Sequence, residues 1–82
     1  MDKKLQHDGI KARRKIYDFL VQFITENGYS PTIREICEGT GYNSTSTIYN
    51  HLMMLEKMGK IHTKEGKSRT ISIEGYQFVK AG

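Results

Sequence analysis

From Gly9 to Asn27 apolar residues recur at every third or fourth position, at Ala12, Ile16, Phe19, Leu20, Phe23 and Ile24, and this spacing predicts one buried face of a long helix. Gly28 is placed to end it. Ser30, Pro31 and Thr32 then break the pattern, because a proline disfavours helix at the residue before it. Thr32, with Glu35 three positions later, has the form of a capping box, so a short second helix is expected to start there with Ile33, Ile36 and Cys37 as its apolar contacts. The glycines of Gly39, Thr40 and Gly41 predict a turn that stops it early. A third helix follows, with Ser44 as its N-cap and Ile48, Leu52, Leu55 and Met58 at helical spacing up to Gly59. Beyond Gly59 the period falls to two: Ile61 and Thr63, then Ile71 and Ile73, flank a polar stretch, which predicts a two-stranded hairpin turning around Gly66.

These elements predict an α+β fold, mostly helical: a winged helix-turn-helix with three helices and a two-stranded antiparallel hairpin, the wing. Residues 1–8, polar and of mixed charge, read as a flexible N-terminal arm, 9–74 as the folded domain and 75–82 as a C-terminal tail. In the tail, Tyr76, Phe78 and Val79 suit either an extension of the hairpin or packing on the first helix. No internal repeat or low-complexity segment interrupts this order.

An 82-residue chain makes one small domain and leaves little room for a deep enzyme cleft. Thirteen Lys and Arg against nine Asp and Glu give a formal charge of +4, which favours an acidic polymer as partner. The single cysteine, Cys37, and the lack of an apolar signal segment fit a reduced, cytoplasmic protein, and no apolar run has the roughly 20 residues that would span a bilayer. Three histidines and Cys37 show no close ligand pairing, so neither a metal nor any other cofactor is expected. Gly66, Lys67 and Ser68 resemble the end of a phosphate-binding loop, but Ile61 stands where that motif needs a glycine. Ser68 beside Lys64 or Lys67 on a hairpin tip lacks the burial and the oxyanion pocket that a serine-lysine hydrolase needs, so no catalytic residue is expected.

The expected architecture places its third helix in a DNA major groove and its wing along the backbone. Uncharged donors and acceptors at the start of that helix can then read base edges without being drawn to the nearest phosphate. With Ile48, Leu52 and Leu55 inward, the base-reading candidates are Ser44, Thr45, Ser46, Thr47, Tyr49 and Asn50. Asn50 has the amide geometry to bond adenine twice, and Thr45 or Thr47 can set a methyl against that of a thymine. Capping chemistry on a solvated helix face would explain a lone Ser/Thr run equally well. Its position between two helices, ahead of a basic hairpin, favours base reading. Lys64, Lys67, Ser68 and Arg69 at or near the wing tip, with Thr32, are the candidates for the DNA backbone. The basic run Lys11, Arg13, Arg14 and Lys15 points in several directions around its helix, so at most one or two of its members can share a phosphate.

The segments "SPTIREICEGTGYNS", "STSTIYNHLMMLEKMGKI" and "GKSRTISI" resemble the N-terminal DNA-binding domain of LexA-type repressors across about half the chain. The likeness is carried by Pro31, Thr32, Glu35, Ile36, Gly41, Tyr42, Ser44, His51, Leu52, Leu55, Gly59, Ile61, Gly66, Ser68, Arg69 and Ile71. It implies a bacterial, SOS-type repressor domain that binds double-stranded DNA through Ser44, Ser46, Thr47, Tyr49 and Asn50. The family commonly carries Asn in place of Ser46 and acidic residues in place of Tyr49 and Asn50, which implies a different operator preference here. LexA-type repressors continue into a dimerising, self-cleaving domain, so the chain is either a small regulator or one domain of a longer repressor, and a homodimer on two half-sites is an expected arrangement. The competing reading is a winged-helix protein-interaction module, docking through Tyr42, Met53, Met54 or the C-terminal aromatics, with non-specific DNA affinity alone. RNA binding ranks last, because the paired stacking aromatics of single-strand modules are missing.

Overall fold

The computed structural model describes residues 3–64 and 67–76, so the turn expected at Gly66 and the tail residues Phe78 and Val79 lie outside the described residues. Helix α1 spans Lys3–Asn27, α2 Ile33–Thr40 and α3 Thr45–Lys57, followed by strands β1, Ile61–His62, and β2, Ser72–Ile73. The strands pair antiparallel with Ile61 opposite Ile73 and His62 opposite Ser72. Three helices and a short hairpin in this order are the winged helix-turn-helix that the pattern predicts.

The period-of-four positions of α1 deliver Ile16, Leu20 and Ile24 to one core with Ile36, Ile48, Leu52, Leu55, Ile61 and Ile73, while Tyr17, Phe19, Val21, Ile33, Cys37, Tyr42 and Ile71 pack around its edge. The hairpin belongs to this core through one inward residue per strand. Its ladder is only two residue pairs long, so packing rather than sheet hydrogen bonding holds it in place.

Thr63 and Ile71, expected in the hairpin strands, lie outside them, and the helices differ from the expected ones in three places. Helix α1 begins at Lys3 rather than Gly9, since a lone glycine weakens a helix without stopping it. Gly39 and Thr40 lie inside α2, and only Gly41, with φ 84°, adopts the left-handed conformation that ends the helix. Thr40, the last helical residue, is buried, and its hydroxyl donates to the Ile36 carbonyl at 2.6 Å. At α3 the inward line stops at Leu55. Met58 is the C-cap and half exposed, and the turn through Gly59 brings Ile61 into the core instead.

At Gly39 the helices approach so closely that an added Cβ would lie 2.1 Å from Cε1 of Phe19. Glycine is therefore what allows α2 to seat against α1, and the Gly41 turn then sets the direction of α3. Tyr76, the last described aromatic, sits beside Tyr17, Val21 and Thr25 of α1, so the chain passes over the first helix at this point.

Candidate nucleic-acid interface

Helix α3 presents its polar start because Ser44 caps it: the Ser44 hydroxyl oxygen accepts from the Thr47 backbone N–H at 3.2 Å. With Ile48, Leu52 and Leu55 buried, a 100° step per residue places Ser46, Asn50, Met53 and Lys57 along the ridge farthest from the core. Ser44, Thr45, Ser46, Tyr49 and Asn50 are all exposed, Tyr49 to 56 %, while Thr47 is half-buried on one flank. The six base-reading candidates thus divide: Ser46 and Asn50 stand on the ridge, Tyr49 leans toward the wing, Thr45 and Ser44 sit at the helix end, and Thr47 leans the other way. Met53, expected only as a docking residue, and Lys57 share the ridge and were not among the base-reading candidates. The signal for them was present, since 46, 50, 53 and 57 repeat at helical spacing.

Between α3, the start of α2 and the wing runs an open groove of about 900 Å³. Thr32 and Ile33 line one side, Tyr49 and Met53 another, and Lys64, Lys67, Ser68 and Arg69 the wing side. The fold therefore gathers every backbone candidate on one groove with Tyr49. Within the wing, the Lys64 backbone N–H donates to the Thr70 hydroxyl at 3.0 Å, and that hydroxyl lies 3.2 Å from the carbonyls of both Lys64 and Lys67. Lys64 and Lys67 are thus tied at the backbone and exposed at the side chain.

Thr32 and Arg69 have partners inside the molecule. Thr32 caps α2: its hydroxyl oxygen accepts from the Glu35 N–H at 3.1 Å, and its own N–H donates to Glu35 Oε1 at 2.8 Å. Arg69 grips the same carboxylate with both arms of its guanidinium, at 3.0 and 3.2 Å, and donates to the Ser30 carbonyl at 3.1 Å. The Thr32 N–H first, and Arg69 second, hold the Glu35 carboxyl below its ordinary value of 4.5. A depressed folded-state value means that the stabilisation is present above about pH 4.5 and is lost as the pH falls through the lowered value. The difference in urea midpoint between the wild type and Glu35→Gln is accordingly expected to stay constant from neutral pH to about pH 5 and to shrink on further acidification. Equal pH profiles for the two proteins would contradict it.

On α1, Arg14 pairs with Asp18 at 4.0 Å and Lys15 lies 5.4 Å from the centre of the Tyr42 ring. Arg13 turns toward α3, where burial first and the Arg13 charge second depress the basicity of His51. The basic run thus disperses over several faces, as helical geometry requires. Among the described residues no group of His, Cys, Asp and Glu is arranged to hold a metal ion, and no helix is long and apolar enough to cross a membrane.

The family model for the LexA DNA binding domain matches residues 8–70. The chain is 49 % identical over 59 residues to the LexA repressor of Clostridium novyi, covering 72 % of this chain and 29 % of that protein. To the LexA repressor of Caldicellulosiruptor saccharolyticus it is 48 % identical over 63 residues, covering 77 % of this chain and 31 % of the relative. That of Carboxydothermus hydrogenoformans is 45 % identical over 60 residues, covering 73 % and 29 %. The chain therefore spans about three-tenths of the length of the curated relatives it matches.

Proposed function

Because the chain belongs to the LexA DNA-binding-domain family, we propose that it binds double-stranded DNA sequence-specifically and acts as a transcriptional repressor in the bacterial cytoplasm. The observation that carries this reading is the exposed polar ridge of α3, Ser46 and Asn50 with Tyr49 beside them, next to a groove walled by wing cations. Helix α3 lies in the major groove with Ser46 and Asn50 toward base edges, and Lys64 and Lys67 hold the phosphates on the wing side. Ser44, Thr45 and Thr47 meet the DNA at the margin of this contact, and Ser68 and Thr32 supply hydroxyls to the backbone. The side chains at 46, 49 and 50 set a base preference of the chain's own. Two copies on half-sites one helical turn apart, about 34 Å, would combine the affinity of two small modules.

A protein-docking surface built on Tyr42, Met53 and Met54 is less well supported. Tyr42 is half-buried beneath Lys15, and Met53 and Met54 point about 100° apart around α3 and do not make one patch.

Two substitutions separate reading from gripping. Asn50→Ala is expected to cost about 1–3 kcal/mol at particular base pairs and little on scrambled DNA. Lys67→Ala is expected to weaken binding on every sequence and to reduce the salt slope by about one. Titration of both variants on a preferred and a scrambled duplex checks this, and an equal loss on both duplexes for Asn50→Ala would sink base readout by α3.

A further inference from the structure

We propose that Glu35 and Arg69 form a positioning pair for DNA binding: the pair holds the wing at a fixed angle to α2 and α3 and does not itself touch the DNA. This rests on the DNA-binding reading above.

Arg69 stands on the wing like a phosphate-seeking cation, yet the Nη1–Nη2 edge of its guanidinium is held inside the molecule. One arm meets Glu35 Oε1 at 3.0 Å and the Ser30 carbonyl at 3.1 Å, the other meets Glu35 Oε2 at 3.2 Å, and the group lies 5.0 Å from the centre of the Tyr29 ring. A phosphate could take this edge of Arg69 only by displacing the forked carboxylate, so the two contacts compete for it. The backbone bears the mark of the same commitment. Arg69 has φ 55°, and no other described residue except glycines has a positive φ. A non-glycine residue holds that conformation only where its surroundings impose it.

Glu35 is an equally fixed partner. The capping box binds its Oε1 to the Thr32 N–H at 2.8 Å, so the carboxylate is set on the first turn of α2 before Arg69 arrives. A second stitch lies beside it, where the Ile71 N–H donates to the Ser30 hydroxyl at 3.1 Å. Ser30 and Glu35 thus tie the approach to β2 to the segment that starts α2, across 34 to 41 residues of sequence. The wing's own ladder has only two residue pairs, and it cannot by itself fix the direction of the strand ends that carry Lys64 and Lys67. The ties at Glu35 and Ser30 supply that direction, and α2 is packed against both other helices. The distance between the wing lysines and the α3 ridge is then a property of the free protein, and it need not be set at the moment of binding.

The sign of one substitution tests this. Glu35→Gln removes an anion from a face that meets a polyanion, so simple electrostatics, or an Arg69 released to grip phosphate, predicts tighter binding. Loss of the positioning pair predicts weaker binding. Wild type, Glu35→Gln and Arg69→Lys are titrated on a selected duplex and a scrambled control at two salt concentrations, with amide chemical shifts of each free protein recorded alongside. Glu35→Gln is expected to bind the selected duplex roughly threefold to tenfold more weakly with the salt slope unchanged. Arg69→Lys, which keeps the charge but loses the fork, is expected to fall by a similar factor. Shifts are expected at Lys67 and Ile71 but not at Ile48 and Leu52 in the core. Equal or tighter binding by Glu35→Gln would overturn the proposal, and near wild-type binding by Arg69→Lys beside it would make Arg69 a phosphate contact. Should Glu35→Gln fail to fold, Arg69→Lys decides alone, since near wild-type binding by it contradicts positioning. A wild type that selects no sequence removes the DNA-binding premise and the proposal with it, whereas a selective wild type with an unaffected Glu35→Gln removes the proposal alone.

Discussion

Ile48→Ala is expected to lower the free energy of unfolding by roughly 2–5 kcal/mol. Ile48 is fully buried on the underside of α3, in the core that also holds Ile16, Leu20, Ile36 and Ile61. Removing three carbons there loses their transfer free energy and leaves a cavity that three helices and a strand cannot fully close. A domain of this size has only about 0.05–0.15 kcal/mol of stability per residue, so a large part of its margin is at stake. Two positions further on, Asn50 is exposed on the opposite face. Asn50→Ala is therefore expected to leave the urea midpoint nearly unchanged while altering DNA selection. The pair of variants separates what α3 does for the fold from what it does for recognition, and a small stability loss at Ile48 with a large one at Asn50 would reverse the assignment of faces.

Gly39→Ala is expected to destabilise the domain by roughly 1–2 kcal/mol, although intrinsic helix preference alone would favour the alanine by about 1 kcal/mol. The contact with Phe19 decides the sign. A Cβ at position 39 would fall 2.1, 2.6 and 2.8 Å from three atoms of that ring, well inside van der Waals contact. The ring has limited room to yield, being partly buried and set 5.7 Å from the ring of Phe23. Either the ring leaves its place or α2 is pushed off α1, and overpacking of this kind costs typically 1–3 kcal/mol. In a Phe19→Ala background the obstruction is gone, and Gly39→Ala is expected to become neutral or stabilising. Urea unfolding of the four proteins of this cycle measures the coupling. A Gly39→Ala protein more stable than wild type in the Phe19 background would show that the helices do not depend on the glycine.

Those two sites also show what is legible in the sequence. Ile48 could be placed in the core from spacing alone, as could Ile16, Leu20, Ile24, Leu52, Leu55, Ile61 and Ile73, because burial follows the periods of helix and strand. The Thr32 and Glu35 capping box and the Ser44 cap were equally readable, since each depends on residues within one helical turn. Gly39 was read as a turn residue, yet its reason is Phe19, twenty positions earlier, and local pattern carries no information about such an approach. Met58 fitted the helical line but was displaced by Ile61, because the turn at Gly59 is a matter of chain direction rather than period. The outward placing of Ser46, Tyr49 and Asn50 follows from the inward residues of the same helix. The engagement of Arg69 does not, since its partner Glu35 lies 34 residues away, where only the folded chain brings them together.

Whether α3 reads DNA sequence is decided by selection from a random double-stranded pool with this domain. The enriched duplex and a scrambled control are then titrated at two salt concentrations. An enriched motif is expected, bound by the domain at least tenfold more tightly than the control, with a ratio that persists when salt weakens both. Absence of enrichment, with binding that fades equally for all sequences as salt rises, would contradict it and leave net charge as the sole source of DNA affinity.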